Sequence, residues 1–146
     1  MALRITKGYK QLLAEAEGMV TAITVDQARD LLHRDDHVFI DLRDVREVQR
    51  EGGIPGAKLC PRGMLEFWID PESPYHKPLF AEDKTFVFFC AAAWRSALAA
   101  RTAIEMGLNP VVHIAGGFTA WRDAGMEVER RDAKPRPESA AAPAAS

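Results

Sequence analysis

Residues 85–89, TFVFF, restrict the fold of this chain more than any other segment. Five β-branched or aromatic side chains without a charge suit a strand covered on both faces, as in a parallel sheet flanked by helices. Cys90 follows at once, then the small side chains of Ala91, Ala92 and Ala93, then Trp94. Arg95 and Ser96 open an alanine-rich helix predicted over 95–106, stopped by Gly107 and the Asn109-Pro110 turn. In open parallel sheets, ligands bind beyond the C-terminal ends of the strands. This order therefore puts Cys90, read as the last residue of its strand, at the site end of the sheet.

The rest of the chain supplies partners for that unit. Tyr9, Leu12, Leu13 and Ala16 share one face of a helix predicted over 7–17 and closed by Gly18. Thr24 with Gln27 reads as a capping box before a short helix carrying Ala28, Leu31 and Leu32. VFIDLR, 38–43, predicts a second buried strand with a charged end, and GGIPGAKLC, 52–60, a Gly/Pro turn running into a short strand. A helix is predicted at 62–69, a loop at 71–78 and a strand at 111–115. Gly116 and Gly117 then turn the chain into a last short helix, FTAWRDAG. Strands alternating with helices define an α/β fold with a mostly parallel sheet. The predicted organisation is a helical extension over 1–19, one domain over 20–131 and a disordered Pro/Ala-rich tail over 132–146.

Composition narrows the function. The 146 residues are 47% hydrophobic and 27% charged, enough for one domain with its own core. A formal net charge of −2 gives no general attraction to nucleic acid or to an anionic membrane. No apolar run approaches the ~20 residues that span a bilayer. The first 18 residues lack a continuous apolar core and contain Glu15 and Glu17, so they do not read as a secretory signal, and a cytoplasmic location is expected. Two cysteines, Cys60 and Cys90, are too few for a disulfide scaffold or a cysteine zinc site, and no metal is expected.

The two thiols have different settings. The first amides of a helix lack intrahelical partners and, with the helix dipole, favour an anion. Cys90 precedes such a helix start, Arg95 adds a permanent charge, and the small side chains at 91–93 let backbone amides approach the sulfur. The thiolate is the nucleophilic form, and this placement favours it, whereas burial at the end of an apolar strand acts the other way. Free cysteines are commonly buried core residues. The strand–Cys–small loop–Arg–Ser–helix order sets Cys90 apart from them, but Cys60, followed by Pro61, reads as a structural thiol or, less favoured, as a resolving partner.

Four segments then resemble the rhodanese family. Ile40-Asp41-Leu42-Arg43 with Glu47 resembles its Asp-Val-Arg…Glu segment, and Gly53-Ile54-Pro55-Gly56-Ala57 resembles its His-Ile-Pro-Gly-Ala turn. Residues 90–96, CAAAWRS, resemble its active loop, and Gly116-Gly117-Phe118-Thr119-Ala120-Trp121 its closing segment. The loop at 62–78 looks like that of a bacterial single-domain subgroup. The resemblance implies a five-stranded parallel sheet with helices on both faces. It further implies sulfur transfer through a persulfide on Cys90, from thiosulfate or a related small donor to cyanide, a thiol or a protein acceptor, without a cofactor. Residues 91–96 are then the substrate-binding loop, whose amides hold the anionic persulfide. Trp94 is its wall or lid. Arg95 positions an anionic donor or pairs with Asp41 or Glu47. Asp41 and Arg43 support the loop. Arg62, Trp68, His76 and Phe118 are weaker pocket candidates, for which packing or solvation is the better reading.

Two departures bear on the site. Gly53 stands where many members have histidine, and Ala93 stands where the family often has glycine. If position 93 has φ > 0, alanine costs on the order of 1 kcal/mol there. Two other functions are kept open: a non-enzymatic persulfide carrier or docking module, and a cysteine-dependent phosphatase or arsenate reductase. The latter resemble Cys-x5-Arg, whereas only Ala91 to Trp94 separate Cys90 from Arg95.

Overall fold

The computed structural model describes residues 3–131. The expected disordered tail, 132–146, lies outside the described residues. Five strands form one sheet: β1 (Thr21–Ile23), β2 (His37–Asp41), β3 (Lys58–Leu59), β4 (Thr85–Phe89) and β5 (Val111–Ile114). Their order is β1-β5-β4-β2-β3, and every pair is parallel. Among the described residues six α-helices connect and cover them: α1 (Tyr9–Met19), α2 (Val25–Leu31), α3 (Val45–Glu51), α4 (Leu65–Ile69), α5 (Trp94–Glu105) and α6 (Gly117–Asp123). The α/β class and the five-stranded parallel sheet are as expected.

β4 is central because both of its faces are apolar. Phe86 and Phe88 point to one side, with Val38, Ile40, Leu65 and Ala100. Val87 and Phe89 point to the other, with Phe39, Ile114, Phe118 and Trp121. This is the period-2 alternation of a strand. Each such side chain contributes on the order of 1.5–3 kcal/mol by leaving water. Leu13 and Ala16 of α1 pack on Ala97 of α5, so the N-terminal extension joins the first face.

Several boundaries differ from expectation. Gly18 does not close α1; the helix runs to Met19, and the Val20 amide still reaches the Ala16 carbonyl at 2.9 Å. Glycine within a last turn merely weakens it. The strand β1 was not predicted, because three residues carry no readable alternation and are fixed by pairing with β5. Helix α3 was not predicted either, although its signal is present: Asp44 caps the amides of Arg46 and Glu47, and Glu47 returns a bond to the Asp44 amide. The predicted Thr24–Gln27 capping box of α2 forms with both of its bonds. Cys90 sits one residue past β4, and α5 begins at Trp94 with Ala93 as its N-cap.

Candidate active site

The sulfur of Cys90 is where backbone donors meet. The Ala93 amide donates to Sγ at 3.2 Å and the Ser96 amide at 3.4 Å. Both are orphan donors of a helix start, Ala93 at the N-cap of α5 and Ser96 within its first turn. Cys90 is 1% exposed, and the loop above it is not: Ala92 is open to solvent, Ala91 and Ala93 partly so.

The start of α6 clamps the loop from the opposite side. The Phe118 amide donates to the Cys90 carbonyl at 2.8 Å and the Thr119 amide to the Ala91 carbonyl at 3.0 Å. Gly117 makes that approach possible. Its φ is +61°, and a β-carbon there would stand 2.5 Å from the Cys90 carbonyl oxygen. Gly117 is therefore part of the candidate site as well as of a turn.

Ala93 has φ 89° and is the one non-glycine residue with positive φ among those described. The strain of the left-handed region, on the order of 1–2 kcal/mol, is thus present at this N-cap. The Ala93 carbonyl is held by the Ala97 amide at 3.0 Å and by the Ser96 hydroxyl at 3.2 Å.

Arg95 does not hang free over the loop. Its guanidinium donates two bonds to the Glu47 carboxylate, at 2.7 and 2.9 Å. This bidentate pair ties α5 to α3. It holds the Glu47 carboxyl down to about 2 and raises Arg95 further above its ordinary value. Of the two partners considered for Arg95, Glu47 takes the role, because Asp41 is occupied by Arg43.

Asp41 and Arg43 are both buried, about 1% exposed, and bonded through Arg43 Nε and Nη2 at 2.9 and 2.6 Å. Nη2 also donates to the Gly52 carbonyl at 2.9 Å, and the guanidinium lies 4.3 Å from the Phe118 ring centroid. The pair therefore supports the residue whose amide holds the Cys90 carbonyl. Removing one partner from such a buried pair leaves an uncompensated charge.

Cys60 is also 1% exposed, and burial pushes its thiol up to about 12. The Cys60 amide bonds the Asp41 carbonyl and the Leu42 amide bonds the Phe89 carbonyl, each at 2.8 Å, which sets Leu42 between the two cysteines in register. Two strand spacings put their Cα atoms roughly 10 Å apart. A disulfide needs less than ~7 Å, so Cys60 is not placed to resolve Cys90.

The weaker candidates separate from the loop. Phe118 is core, Arg62 bonds Glu66, and Trp68 lies against the Lys77 ammonium. His76 has a buried Nδ1 with no partner among the described residues. Trp94 is 59% exposed, and its ring pairs with that of Tyr9 on α1 at 5.1 Å. A cleft of about 380 Å³, lined by His33, His37, Lys58 and Lys84 among others, opens at the opposite end of the sheet and includes neither cysteine. Sequence reasoning missed His113, 4% exposed, whose Nδ1 lies 2.9 Å from Ser96 Oγ. A lone histidine within a strand gave no cue to that contact.

The family model of the rhodanese-like domain matches residues 24–124. A thiosulfate sulfurtransferase, GlpE, of Pseudoalteromonas translucida is 33% identical over 110 residues, 74% of this chain and 95% of that protein. A solved structure from Rhodopseudomonas palustris is 56% identical with a TM-score of 0.86, covering 88% of this chain and 99% of its own. It is described as a protein of unknown function and possible tyrosine phosphatase. The human single-domain sulfurtransferase TSTD1 is 26% identical with a TM-score of 0.61, covering 71% of this chain and 96% of its own. With a match over more than two thirds of its length, the chain belongs to the family of rhodanese-like domains.

Proposed function

We propose that this protein is a sulfurtransferase in which Cys90 carries the transferred sulfur as a persulfide. The observation that carries this reading is the convergence of the Ala93 and Ser96 amides on Cys90 Sγ. Donors preorganised around one sulfur atom stabilise its anion without reorganising at the moment of reaction. In the first half-reaction the Cys90 thiolate attacks the outer sulfur of thiosulfate or a related sulfane donor. An S–S bond forms, the donor's bond breaks, and sulfite or a thiolate leaves with the electron pair. In the second, cyanide or a thiol acceptor, small or borne on a protein, attacks the terminal persulfide sulfur, and the Cys90 thiolate is restored.

The other loop residues take supporting roles in this reading. Ala91 and Ala92 leave the approach to sulfur open, Trp94 walls one side, and Arg95 with Glu47 braces the helix that supplies the Ser96 amide. Asp41 and Arg43 act through Phe118 and do not touch substrate. Two free thiols fit a reducing compartment, which favours the cytoplasm. Among the described residues no helix is long and apolar enough to cross a membrane.

The name of the Rhodopseudomonas palustris relative favours a second reading, phosphate-ester hydrolysis. The short loop between Cys90 and Arg95 aims the Ala93 amide, with that of Ser96, at one sulfur atom, and the arginine is bound to Glu47. Both features suit a sulfur better than a tetrahedral phosphate. The deciding experiment is mass spectrometry of the intact protein after thiosulfate treatment, set beside turnover of a small aryl phosphate. A gain of one sulfur on Cys90, transferable to cyanide, is the expected result. A protein that stays unmodified yet hydrolyses the ester sinks the sulfurtransferase reading. A persulfide that forms but never turns over would make the protein a carrier for a partner.

A further inference from the structure

Behind the loop, a hydroxyl and an imidazole form a buried polar chain that no step of sulfur transfer uses. Ser96 is fully buried and His113 nearly so. Ser96 Oγ lies 3.2 Å from the Ala93 carbonyl oxygen and 2.9 Å from His113 Nδ1. A hydroxyl has one proton to give. With that proton donated to the Ala93 carbonyl, the imidazole supplies the other contact, so Nδ1 carries hydrogen. Burial lowers the His113 pKa against the opposing charge of Glu17 on α1, and so favours the neutral ring.

The object held by this chain is the strained corner of the loop. Ala93 sits at φ 89°, and a strained residue persists only where its surroundings over-determine it. The Ala93 carbonyl receives the Ala97 amide and the Ser96 hydroxyl. The amides of the same two residues, 93 and 96, are the donors to Cys90 Sγ. The hydroxyl of Ser96 thus staples together the two residues whose amides face the sulfur, and His113 on β5 fixes the direction of that hydroxyl.

We propose that His113 is a positioning residue for Cys90: its Nδ1–H orients the Ser96 hydroxyl onto the Ala93 carbonyl and so keeps both amides aimed at the sulfur. The inference rests on Cys90 as the sulfur carrier. Alkylation of the thiol reads the aim of the amides without any sulfur chemistry, so the two ideas can fail separately.

The test uses a Cys60→Ser background and three changes. His113→Leu keeps an apolar body without a donor, His113→Asn returns an N–H close to the place of Nδ1, and Ser96→Ala removes the hydroxyl that links ring and loop. The measurements are the rate of Cys90 alkylation by iodoacetamide at neutral pH, kcat and KM for sulfur transfer, and Tm. His113→Leu and Ser96→Ala should each slow alkylation and lower kcat about tenfold, the scale of one buried hydrogen bond, with KM little changed. His113→Asn should stay within about threefold of its parent. The double variant His113→Leu/Ser96→Ala should lose no more than either single change, since both break one chain. Folded His113→Leu that reacts at the parental rate overturns the proposal. An Asn variant as slow as the Leu variant, or additive losses in the double variant, overturns it equally. Where His113→Leu does not fold, Ser96→Ala decides, and a parental rate in that variant refutes the chain. If alkylation follows the expected pattern while no variant, parent included, transfers sulfur, the positioning role stands and the sulfur-carrier reading falls.

Discussion

Arg95 and Glu47, 48 residues apart, join the first turn of α5 to the first turn of α3 through two bonds of 2.7 and 2.9 Å. The loop that begins at Cys90 is thereby anchored at its far end to the segment that follows β2. Arg95→Ala and Glu47→Gln should lower sulfur transfer by similar factors, on the order of tenfold, because each removes the same brace. Steady-state kinetics with thiosulfate would check this. A far larger loss in Arg95→Ala would show the guanidinium acting on the donor itself.

The same pair predicts an acid limb of stability. The folded pKa of Glu47, about 2, lies below its ordinary 4.5, so its contribution is complete above the ordinary value. It is then lost as pH falls through the folded value. Thermal melts between these limits should fall more steeply with acid for the parent than for Glu47→Gln. Parallel curves would mean that the pair is screened to irrelevance in solution.

The two cysteines should separate cleanly. Cys90→Ser should abolish transfer from thiosulfate to cyanide with the fold intact, and Cys60→Ser should retain most of it. With its thiol pushed up to about 12 by burial, Cys60 should stay unlabelled by iodoacetamide in the native protein at mildly alkaline pH. Equal loss of transfer in both variants would show the assignment to be wrong.

Gly117→Ala tests the clamp between α6 and the loop. The added carbon meets two carbonyl oxygens, of Cys90 at 2.5 Å and of Ala91 at 2.7 Å, in a backbone conformation already unfavourable to alanine. Urea unfolding should show a loss of about 2 kcal/mol or more, with a larger fall in activity than in stability. A variant with parental activity would show that the loop tolerates displacement.

Ala93→Gly should act in the opposite sense. Glycine accepts φ 89° freely, so stability should rise by about 1 kcal/mol, less the entropy that glycine adds to the unfolded chain. Ala93→Val should fall below the parent in both stability and transfer. Comparison of their denaturant midpoints decides, and a glycine variant no more stable than valine would remove strain from the account.

Much of this architecture is local in origin and therefore readable along the chain. The run Thr85–Phe89 is a buried strand in almost any setting, because no other element hides five such side chains so economically. The step from that strand through small residues to an alanine-rich helix puts Cys90 at the C-terminal end of the sheet. The Thr24–Gln27 cap was equally plain, since its bonds lie within four residues. The Asp44–Glu47 cap of α3 is written in the same local code.

The partners across the fold belong to tertiary structure. Which acid takes Arg95, why Gly117 has no side chain, how far Cys60 stands from Cys90 and that His113 backs Ser96 all depend on the order β1-β5-β4-β2-β3. That order brings together residues up to tens of positions apart. The sequence by itself determined the sheet class, the place of Cys90 after a buried strand and the helix that offers amides to its sulfur, because each follows from neighbours along the backbone. Only packing decided which side chains hold those amides in place, because a hydrogen bond between distant residues leaves no periodic trace in the chain.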